Sequence, residues 1–325
     1  MELLLFPKIA TTSPGGSAGD KGVWIAQEKI HGAQLVVGVS RDLARIGKRK
    51  AWLDDGDAFF GWQLLRPDLV RLGRAVFDAL RIEPDRTLYL YGELFGGAYP
   101  HPQVPAIAGM SPVQTGIWYA PDIRWAPFDA VLATPGDPAS AEFADAQALA
   151  DAVAAAGGIT PPVLARGKKT DTAAAPFRFA SRVPGLFSLP PIEKNFAEGV
   201  VLKPAGRTSA AGRAVVKRKI EEFDEGRFGE SEAWDANQIL GVDALLALAD
   251  RLVNVPRLQS ARSKVGTAPD AVRDELVLDV MIDLGEAFPA AMSRLAPADE
   301  ERLRTALGAR ASAVASANAA DRMNT

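Results

Sequence analysis

The sequence contains no cysteine, which excludes disulfide bonds, thiolate nucleophiles and zinc sites built on cysteine. Its two histidines, His31 and His101, are too few for a metal site rich in imidazole. A metal ion used by this chain must therefore be a hard ion such as Mg²⁺, held by carboxylates and phosphates.

A large excess of charge of one sign is also absent. The chain carries 37 Lys and Arg against 40 Asp and Glu, a formal net charge of −3. Proteins that hold nucleic acid over their whole surface are usually basic, so any such contact here must use local patches. No hydrophobic run approaches a membrane span, and the apolar residues 1–6 are too short for a signal peptide. We therefore predict a cytoplasmic protein without a membrane partner.

The spacing of apolar residues changes along the 325-residue chain. The first part alternates short β-rich runs with Gly/Pro loops and adds a helix over 67–82 and an Ala-rich helix over about 138–156. From about residue 232, helical spacing dominates. The helices predicted there are 235–253, 268–288 and 298–320. The sequence thus predicts an α+β domain at 1–230 and an all-helical domain at 231–325.

Charged residues interrupt or end several of the β-rich runs. They are Lys29, Arg49, Glu93, Glu198, Lys203, Lys217 and Lys219. Each of them alone is more often a solvent-facing strand residue, because a buried charge is costly unless it is paired. Together, five cations and two carboxylates suit an anionic ligand that carries a hydroxylated sugar, which is a nucleotide.

The order of these segments resembles that of the covalent nucleotidyltransferases. Residues 28–32 (EKIHG) resemble motif I, KxHG, which contains the nucleophilic lysine. The other five motifs follow in the family's order: 48–50 (KRK), 91–97 (YGELFGG), 125–129 (WAPFD), 198–204 (EGVVLKP) and 215–219 (VVKRK). His31 replaces an Asp that is typical of DNA ligases and capping enzymes. These motif sequences are similar to those of the RNA ligase 2 family of ATP-dependent RNA ligases. The resemblance covers roughly residues 23–266 without 133–190.

The resemblance implies both a fold and an activity. The expected fold is an ATP-grasp-like nucleotidyltransferase domain of antiparallel sheets with flanking helices, followed by a small all-helical domain. The expected enzyme is a monomer that joins 3′-OH and 5′-phosphate RNA ends, held in a nicked duplex. It would form a lysyl-AMP with ATP, transfer the AMP to the RNA 5′ end, and then seal the strands.

The resemblance also assigns the catalytic residues. Lys29 is the expected nucleophile, and its amine must lose a proton because an ordinary lysine pKa is about 10.4. Lys217, Lys219 and a bound metal are expected to lower that pKa. Glu198 is expected to hold Mg²⁺ or Mn²⁺.

A further set is expected to bind the nucleotide: Glu28, Ile30, His31, Gly32, Arg49, Glu93, Phe128 and Lys203. Phe128 would stack on adenine, although a core aromatic is nearly as good an interpretation. Glu93 would accept a hydrogen bond from the ribose, and Lys203 would support the phosphates.

Contacts with RNA are expected from scattered residues. They are Gln34, Arg218, Arg257 and Lys264, and other cations such as Arg213 flank the last motif. Binding through such cations weakens with salt. Ala33 and Gln34 stand where the family commonly has Thr and Asn, so contacts at this point are expected to differ.

Two alternatives remain open. One is a DNA or mixed-strand nick ligase, or an enzyme that adenylates itself but seals poorly. The other is a non-catalytic protein that binds RNA ends. The presence of Lys29, Glu198, Lys217 and Lys219 together favours an enzyme.

Overall fold

The computed structural model describes residues 1–7, 9, 22–223 and 234–323. Antiparallel sheets fill the first part of the chain and helices fill the last part, so the predicted α+β fold with C-terminal helices is confirmed. None of the helices in these ranges has the length and apolarity needed to cross a membrane.

Eleven strands are present in the described ranges. They are β1 Trp24–Glu28, β2 Ala33–Val39, β3 Ala44–Lys48, β4 Ala51–Trp52, β5 Thr87–Ala98, β6 Ala120–Thr134, β7 Asp137–Phe143, β8 Val163–Gly167, β9 Gly199–Pro204, β10 Thr208–Ser209 and β11 Val216–Lys219. The α-helices there are α1 Arg66–Ala79, α2 Ala146–Ala155, α3 Lys169–Ala173, α4 Val242–Leu252, α5 Val255–Val265, α6 Pro269–Ala287, α7 Pro289–Met292 and α8 Pro297–Met323.

The strands form two antiparallel sheets. The small sheet has the order β11-β9-β1-β8, and the large sheet has the order β10-β7-β6-β5-β2-β3-β4. The small sheet brings together strands that are far apart in the chain, since β1 pairs with both β8 and β9. Residues from several of the predicted motifs therefore become neighbours.

Strand register decides which side chains share a face of the small sheet. Lys217 lies opposite Val201 and Lys219 lies opposite Gly199, while Lys203 lies opposite Ile25. Because side chains alternate along a strand, these three lysines point to one side, which we call the front face. The back face carries a hydrophobic cluster of Trp24, Ala26, Val200, Leu202, Ala214 and Val216.

The large sheet contains a β-bulge where β5 pairs with β6. Tyr91 pairs with Asp129 and Gly92 pairs with Pro127, so Phe128 is the extra residue of β6. Bulges of this kind re-aim side chains and are frequent beside active sites. The aromatic core next to it includes Tyr89, Tyr91 and Phe143, and the N-terminal residues Leu3, Leu4 and Phe6 pack against that core.

The chain divides into two compact units. The first contains Met1–Leu53, Leu72–Ala106 and Pro112–Glu232, and the second contains Asp54–Arg71, Ile107–Ser111 and Ala233–Thr325. The boundary that the sequence places between residues 230 and 231 lies outside the described residues, and the contiguous division stays a prediction.

The single Ala-rich helix predicted over about 138–156 is wrong. Its first half forms β7, in which Phe143 pairs with Val131 of β6 and is buried. Helix α2 then begins after Asp145, whose carboxylate accepts hydrogen bonds from the N–H groups of Gln147 and Ala148. Pairing with a neighbouring strand and the N-cap together override the helix propensity of the alanines.

Candidate active site

Lys29 lies just past the end of β1 and next to the start of β9. Its backbone N–H donates to the carbonyl oxygen of Gly199 at 2.9 Å, and its Nζ donates to Glu198 Oε2 at 2.7 Å. Gly199 has φ of +145°, and a Cβ there would lie 1.9 Å from the Arg218 carbonyl oxygen. Only glycine permits β9 to begin this close to β11, so the glycine after Glu198 has a structural cause.

Glu198 is the centre of a charged cluster. Its side chain is 1% exposed, and it contacts Lys29 and Lys219 at 2.7 Å each and the Nδ1 of His31 at 3.3 Å. Burial would raise the pKa of Glu198, but Lys29, His31 and Lys219 together hold it below its ordinary range. The carboxylate is therefore charged at neutral pH. Lys217 shares the front face with these groups.

The structure differs from the expected electrostatics of Lys29. Burial lowers the pKa of this lysine, but the carboxylates Glu198 and Glu93 raise it further, so the net direction is upward. The expected lowering by burial is present, but the direct contact with Glu198 and the charge of Glu93 outweigh it. Lys29 is therefore a protonated ammonium in this arrangement.

Glu93 lies on β5, and its charge interacts with that of Lys29. Burial raises the pKa of Glu93 to about 7, and Glu198 adds to this, whereas Lys29, the N–H of Gly32 and Arg49 act in the opposite direction. Gly32 approaches β5 so closely that a Cβ would lie 2.0 Å from the Leu94 carbonyl oxygen. Motif I is thus fixed against the strand that carries Glu93, and Arg49 lies in the turn after β3.

Gln34 lies opposite Glu93 in the pairing of β2 with β5. Its Nε2 is buried and has no hydrogen-bond partner within the described residues. A buried donor without a partner is costly, and a ligand that binds beside Glu93 would supply an acceptor.

Lys203, which is predicted to support the phosphates, lies in a buried ion-pair network. It is buried, and its Nζ donates to the carbonyl oxygen of Phe128 and, at 2.9 Å, to Asp129. Arg213 also contacts Asp129 at 2.8 Å and is buried, so it does not present its charge to RNA. Burial and Arg213 outweigh Asp129 and lower the pKa of Lys203 to about 8. These contacts hold the bulge that carries Phe128.

Glu28 and Ile30, two further predicted nucleotide-binding residues, have buried side chains. Glu28 is buried and accepts hydrogen bonds from Ser181 Oγ at 2.6 Å and from the N–H of Arg182 at 2.9 Å. Burial raises its pKa to about 7. Ile30 is buried in a hydrophobic cluster with Phe95. Neither side chain is therefore exposed to a nucleotide.

The structure also decides what the predicted RNA-binding side chains contact. Arg218 donates to the Ala173 carbonyl oxygen and stacks on Phe177 at 4.3 Å. Lys264 is 47% exposed and pairs with Asp279 and Glu275.

Arg257, another predicted RNA contact, lies in the interior of the protein. Its side chain is 0% exposed, it contacts Asp283 at 2.6 Å, and it donates to the Leu64 carbonyl oxygen. A fully buried guanidinium cannot reach RNA, so Arg257 has a packing role here.

Sequence reasoning missed Tyr119. Its buried hydroxyl accepts a hydrogen bond from the N–H of His31 at 2.8 Å, and its ring packs on Phe95. It follows a Gly/Pro-rich stretch without periodic signal, so nothing local indicates that it meets motif I.

The donor set fits a divalent cation held mainly by the nucleotide. No group of three or more acidic or imidazole side chains that could hold a metal occurs in the described ranges. Glu198 is a charged, hard oxygen donor, and Mg²⁺ commonly combines one or two carboxylates with phosphates and water.

Several known proteins are similar to this chain. RNA-editing ligase 2, mitochondrial, of Trypanosoma brucei brucei is 31% identical over 228 residues, which cover 62% of this chain and 54% of that protein. RNA-editing ligase 1, mitochondrial, of the same organism is 33% identical over 90 residues, 25% of this chain and 19% of that protein. This chain thus spans about half the length of the first relative, and less of the second.

Solved structures of Naegleria gruberi RNA ligase are also similar. The structure with PPi has 15% identity and a TM-score of 0.40, and the match covers 67% of this chain and 62% of that one. A variant with ATP and Mn has 14% identity and a TM-score of 0.40, over 63% and 52%.

A family model matches the part of the chain that contains the charged cluster around Glu198. The model, described as RNA ligase, matches residues 22–219, which contain Lys29, Glu93, Glu198 and Lys219. This match covers more than half of the 325 residues. The chain therefore belongs to the RNA ligase family.

Proposed function

We propose that the protein is an ATP-dependent RNA ligase that joins 3′-OH and 5′-phosphate RNA ends through a covalent AMP on Lys29. The observation that supports this most strongly is the contact of Lys29 with buried Glu198, which Lys219 and His31 share. An amine nucleophile, a charged carboxylate and further cations are the groups that nucleotidyl transfer needs. The relatives named RNA-editing ligases support RNA as the substrate.

In the first step, the neutral amine of Lys29 attacks the α-phosphorus of ATP. A nitrogen–phosphorus bond forms, the bond to the β-phosphate oxygen breaks, and pyrophosphate leaves with both electrons of that bond. The ammonium of Lys29, which donates to Glu198, must lose a proton before this attack. Glu198 is a weak proton acceptor, so the proton would pass to solvent. A cation that offset the charge of Glu198 would lower the pKa of Lys29 and favour its neutral amine.

A divalent metal held by Glu198 would supply that positive charge and would neutralise the phosphates. Lys219 and Lys217 share the front face and would stabilise negative charge on the α-phosphate as pyrophosphate leaves. His31 lies beside the same carboxylate, where it would keep Glu198 oriented.

The nucleoside would lie against the large sheet. Phe128 projects from the bulge and offers a flat apolar surface to the purine. Glu93 would accept a hydrogen bond from a ribose hydroxyl, and Gln34 would donate its unpaired N–H to an oxygen of the bound substrate. Arg49, whose charge acts on Glu93, would contact the ribose or a phosphate.

In the later steps, AMP passes to a 5′-phosphate end and a 3′-OH then attacks it, releasing AMP. The end pair is proposed to be held in a nicked duplex by a monomeric, cytoplasmic enzyme. Binding is expected to weaken as salt rises.

A sealing assay tests the proposal. Nicked duplexes that differ only in the 3′-OH strand, RNA or DNA, are incubated with ATP and Mg²⁺ or Mn²⁺. We expect sealing of the RNA 3′-OH nick and accumulation of adenylated 5′ ends when the 3′-OH is replaced by hydrogen. Sealing of DNA 3′-OH ends alone would instead establish the DNA-ligase alternative.

A further inference from the structure

The first six residues of the chain are tied to the large sheet by side chains of that sheet. The carbonyl oxygens of Met1, Glu2 and Leu4 accept hydrogen bonds from Trp52 Nε1, the Tyr89 hydroxyl and the Tyr91 hydroxyl, at 3.2, 2.8 and 2.6 Å. Because these bonds run to main-chain carbonyls, they fix the path of the segment whatever its side chains are. We call residues 1–6 the N-terminal strap.

The strap ends by placing the ring of Phe6 among three aromatic rings. Its centroid lies 4.9 Å from that of Tyr91, 5.2 Å from that of Phe128 and 5.9 Å from that of Phe143. The contact with Phe128 is edge-to-face, with 84° between the ring planes. This is a favourable geometry for an aromatic pair.

Phe128 is therefore held through both its backbone and its ring. Its carbonyl oxygen accepts from Lys203, and its ring packs against Phe6. Phe128 is only half-buried, which leaves part of the residue accessible to a ligand. An aromatic side chain that is already fixed loses less rotational freedom when a ligand stacks on it, and this raises affinity.

We propose that Phe6 is a positioning residue that fixes the Phe128 ring for stacking on the base of the nucleotide. This inference rests on the proposed function, in which Phe128 stacks on adenine. Phe6 acts through Phe128 and does not touch the reacting atoms. Phe6 thus contributes to the nucleotide site although it precedes the first motif by more than twenty positions.

The test compares Phe6→Leu with Leu5→Ala in the full-length protein. Leu5 lies in the same strap but is 56% exposed, so its replacement controls for changes in the strap itself. The rate of lysyl-AMP formation is measured against ATP concentration, together with inhibition by pyrophosphate, which has no base. Melting temperatures show whether both variants are folded.

We expect Phe6→Leu to raise the KM for ATP by about threefold to tenfold, the range of one aromatic pair, and to leave kcat within about twofold. The inhibition constant of pyrophosphate should not change, and Leu5→Ala should behave as wild type. A purely structural role would alter the pyrophosphate constant or kcat together with KM, and that result would overturn the proposal, as would an unchanged KM in a folded variant.

The two proposals fail in different ways. Absence of covalent AMP on the wild-type chain would refute the proposed function. The Kd for AMP, measured by calorimetry on wild type and Phe6→Leu, would still decide the role of Phe6. An equal Kd in both proteins would contradict it.

Discussion

Among the ion pairs of the described residues, the pairs of Glu198 in the first compact unit and of Asp283 in the second differ in how the cation is enclosed. In the first unit, Glu198 is 1% exposed, but Lys29 and Lys219 keep 21% and 27% of their side chains exposed. In the second unit, Arg257 and Asp283 are both enclosed. The first pair can exchange its partners with water or a ligand, and the second cannot.

This difference separates a site from a packing contact. A buried charge that loses its only partner is strongly destabilising, whereas a partly exposed cation can be hydrated again. Both Lys29 and Arg257 looked functional in the sequence, and their type of residue does not distinguish them. The exposed fraction of the cation distinguishes them, and substitutions at the two pairs test that distinction.

The largest effect on stability is expected from Asp283→Asn. It leaves the Arg257 guanidinium buried without a counter-charge, which costs about 3–5 kcal/mol in the free energy of unfolding. Urea unfolding measures this. Replacing both partners, Arg257→Met with Asp283→Leu, should recover most of the loss. Single and double variants of equal stability would show that the pair does not stabilise the helical unit.

Glu198→Gln is expected to act on chemistry instead. Lys29 and Lys219 can turn to water, so the free energy of unfolding should change by no more than about 1 kcal/mol. Lysyl-AMP formation should fall by about a hundredfold or more, the usual result of removing a group that stabilises charge in the reaction. Loss of stability comparable to Asp283→Asn would mean that the two pairs are of the same kind.

A change of intermediate size in the free energy of unfolding with pH is expected from Glu28. This buried carboxylate accepts hydrogen bonds from a hydroxyl and a backbone N–H. Burial raises its pKa in the folded chain from 4.5 to about 7. The folded state thus binds the extra proton between these values, and the free energy of unfolding should fall as pH rises through that window, by about 2–3 kcal/mol. In Glu28→Gln this contribution should disappear, because the amide still accepts a hydrogen bond but does not titrate.

Denaturant unfolding of wild type and Glu28→Gln at pH 5 and pH 8 measures the effect. Glu93, whose pKa is also about 7, is present in both proteins and cancels in the comparison. Identical pH dependence of the two proteins would refute the raised pKa of Glu28.

The smallest effect is expected from Lys264→Ala. Its side chain is 47% exposed and pairs with Asp279 and Glu275 at the surface, and such surface pairs contribute at most about 1 kcal/mol. Lysyl-AMP formation should be unchanged. A loss of RNA binding without loss of stability would return Lys264 to the RNA-contacting set that the sequence predicts.

Motif order and apolar periodicity predict much of the fold and the centre of the site. The antiparallel sheets and the C-terminal helices are found where apolar spacing indicates them, and Lys29, Glu198 and Lys219 do meet. Their grouping could be expected because three separate motifs each contribute one of them. Their roles in catalysis stay predictions.

The features that the sequence could not predict depend on distant contacts. Lys29 pairs with a carboxylate 169 positions away, and this pairing reverses the expected direction of its pKa. Arg257 is buried because of helix packing that no local pattern encodes. Phe128 owes its position to a bulge and to Phe6, and the helix expected over 138–156 is shortened because β7 pairs with β6.

The central claim is that Lys29 is the amine that becomes adenylated. ATP labelled at the α-phosphate is incubated with wild type, Lys29→Ala and Lys29→Arg in the presence of Mg²⁺ or Mn²⁺, with Lys264→Ala as a lysine control, and the labelled peptide is identified by mass spectrometry. We predict covalent AMP on the peptide that contains Lys29 in wild type and Lys264→Ala, and none in the two Lys29 variants. Label that persists in Lys29→Ala, or that maps to another lysine, would contradict the account.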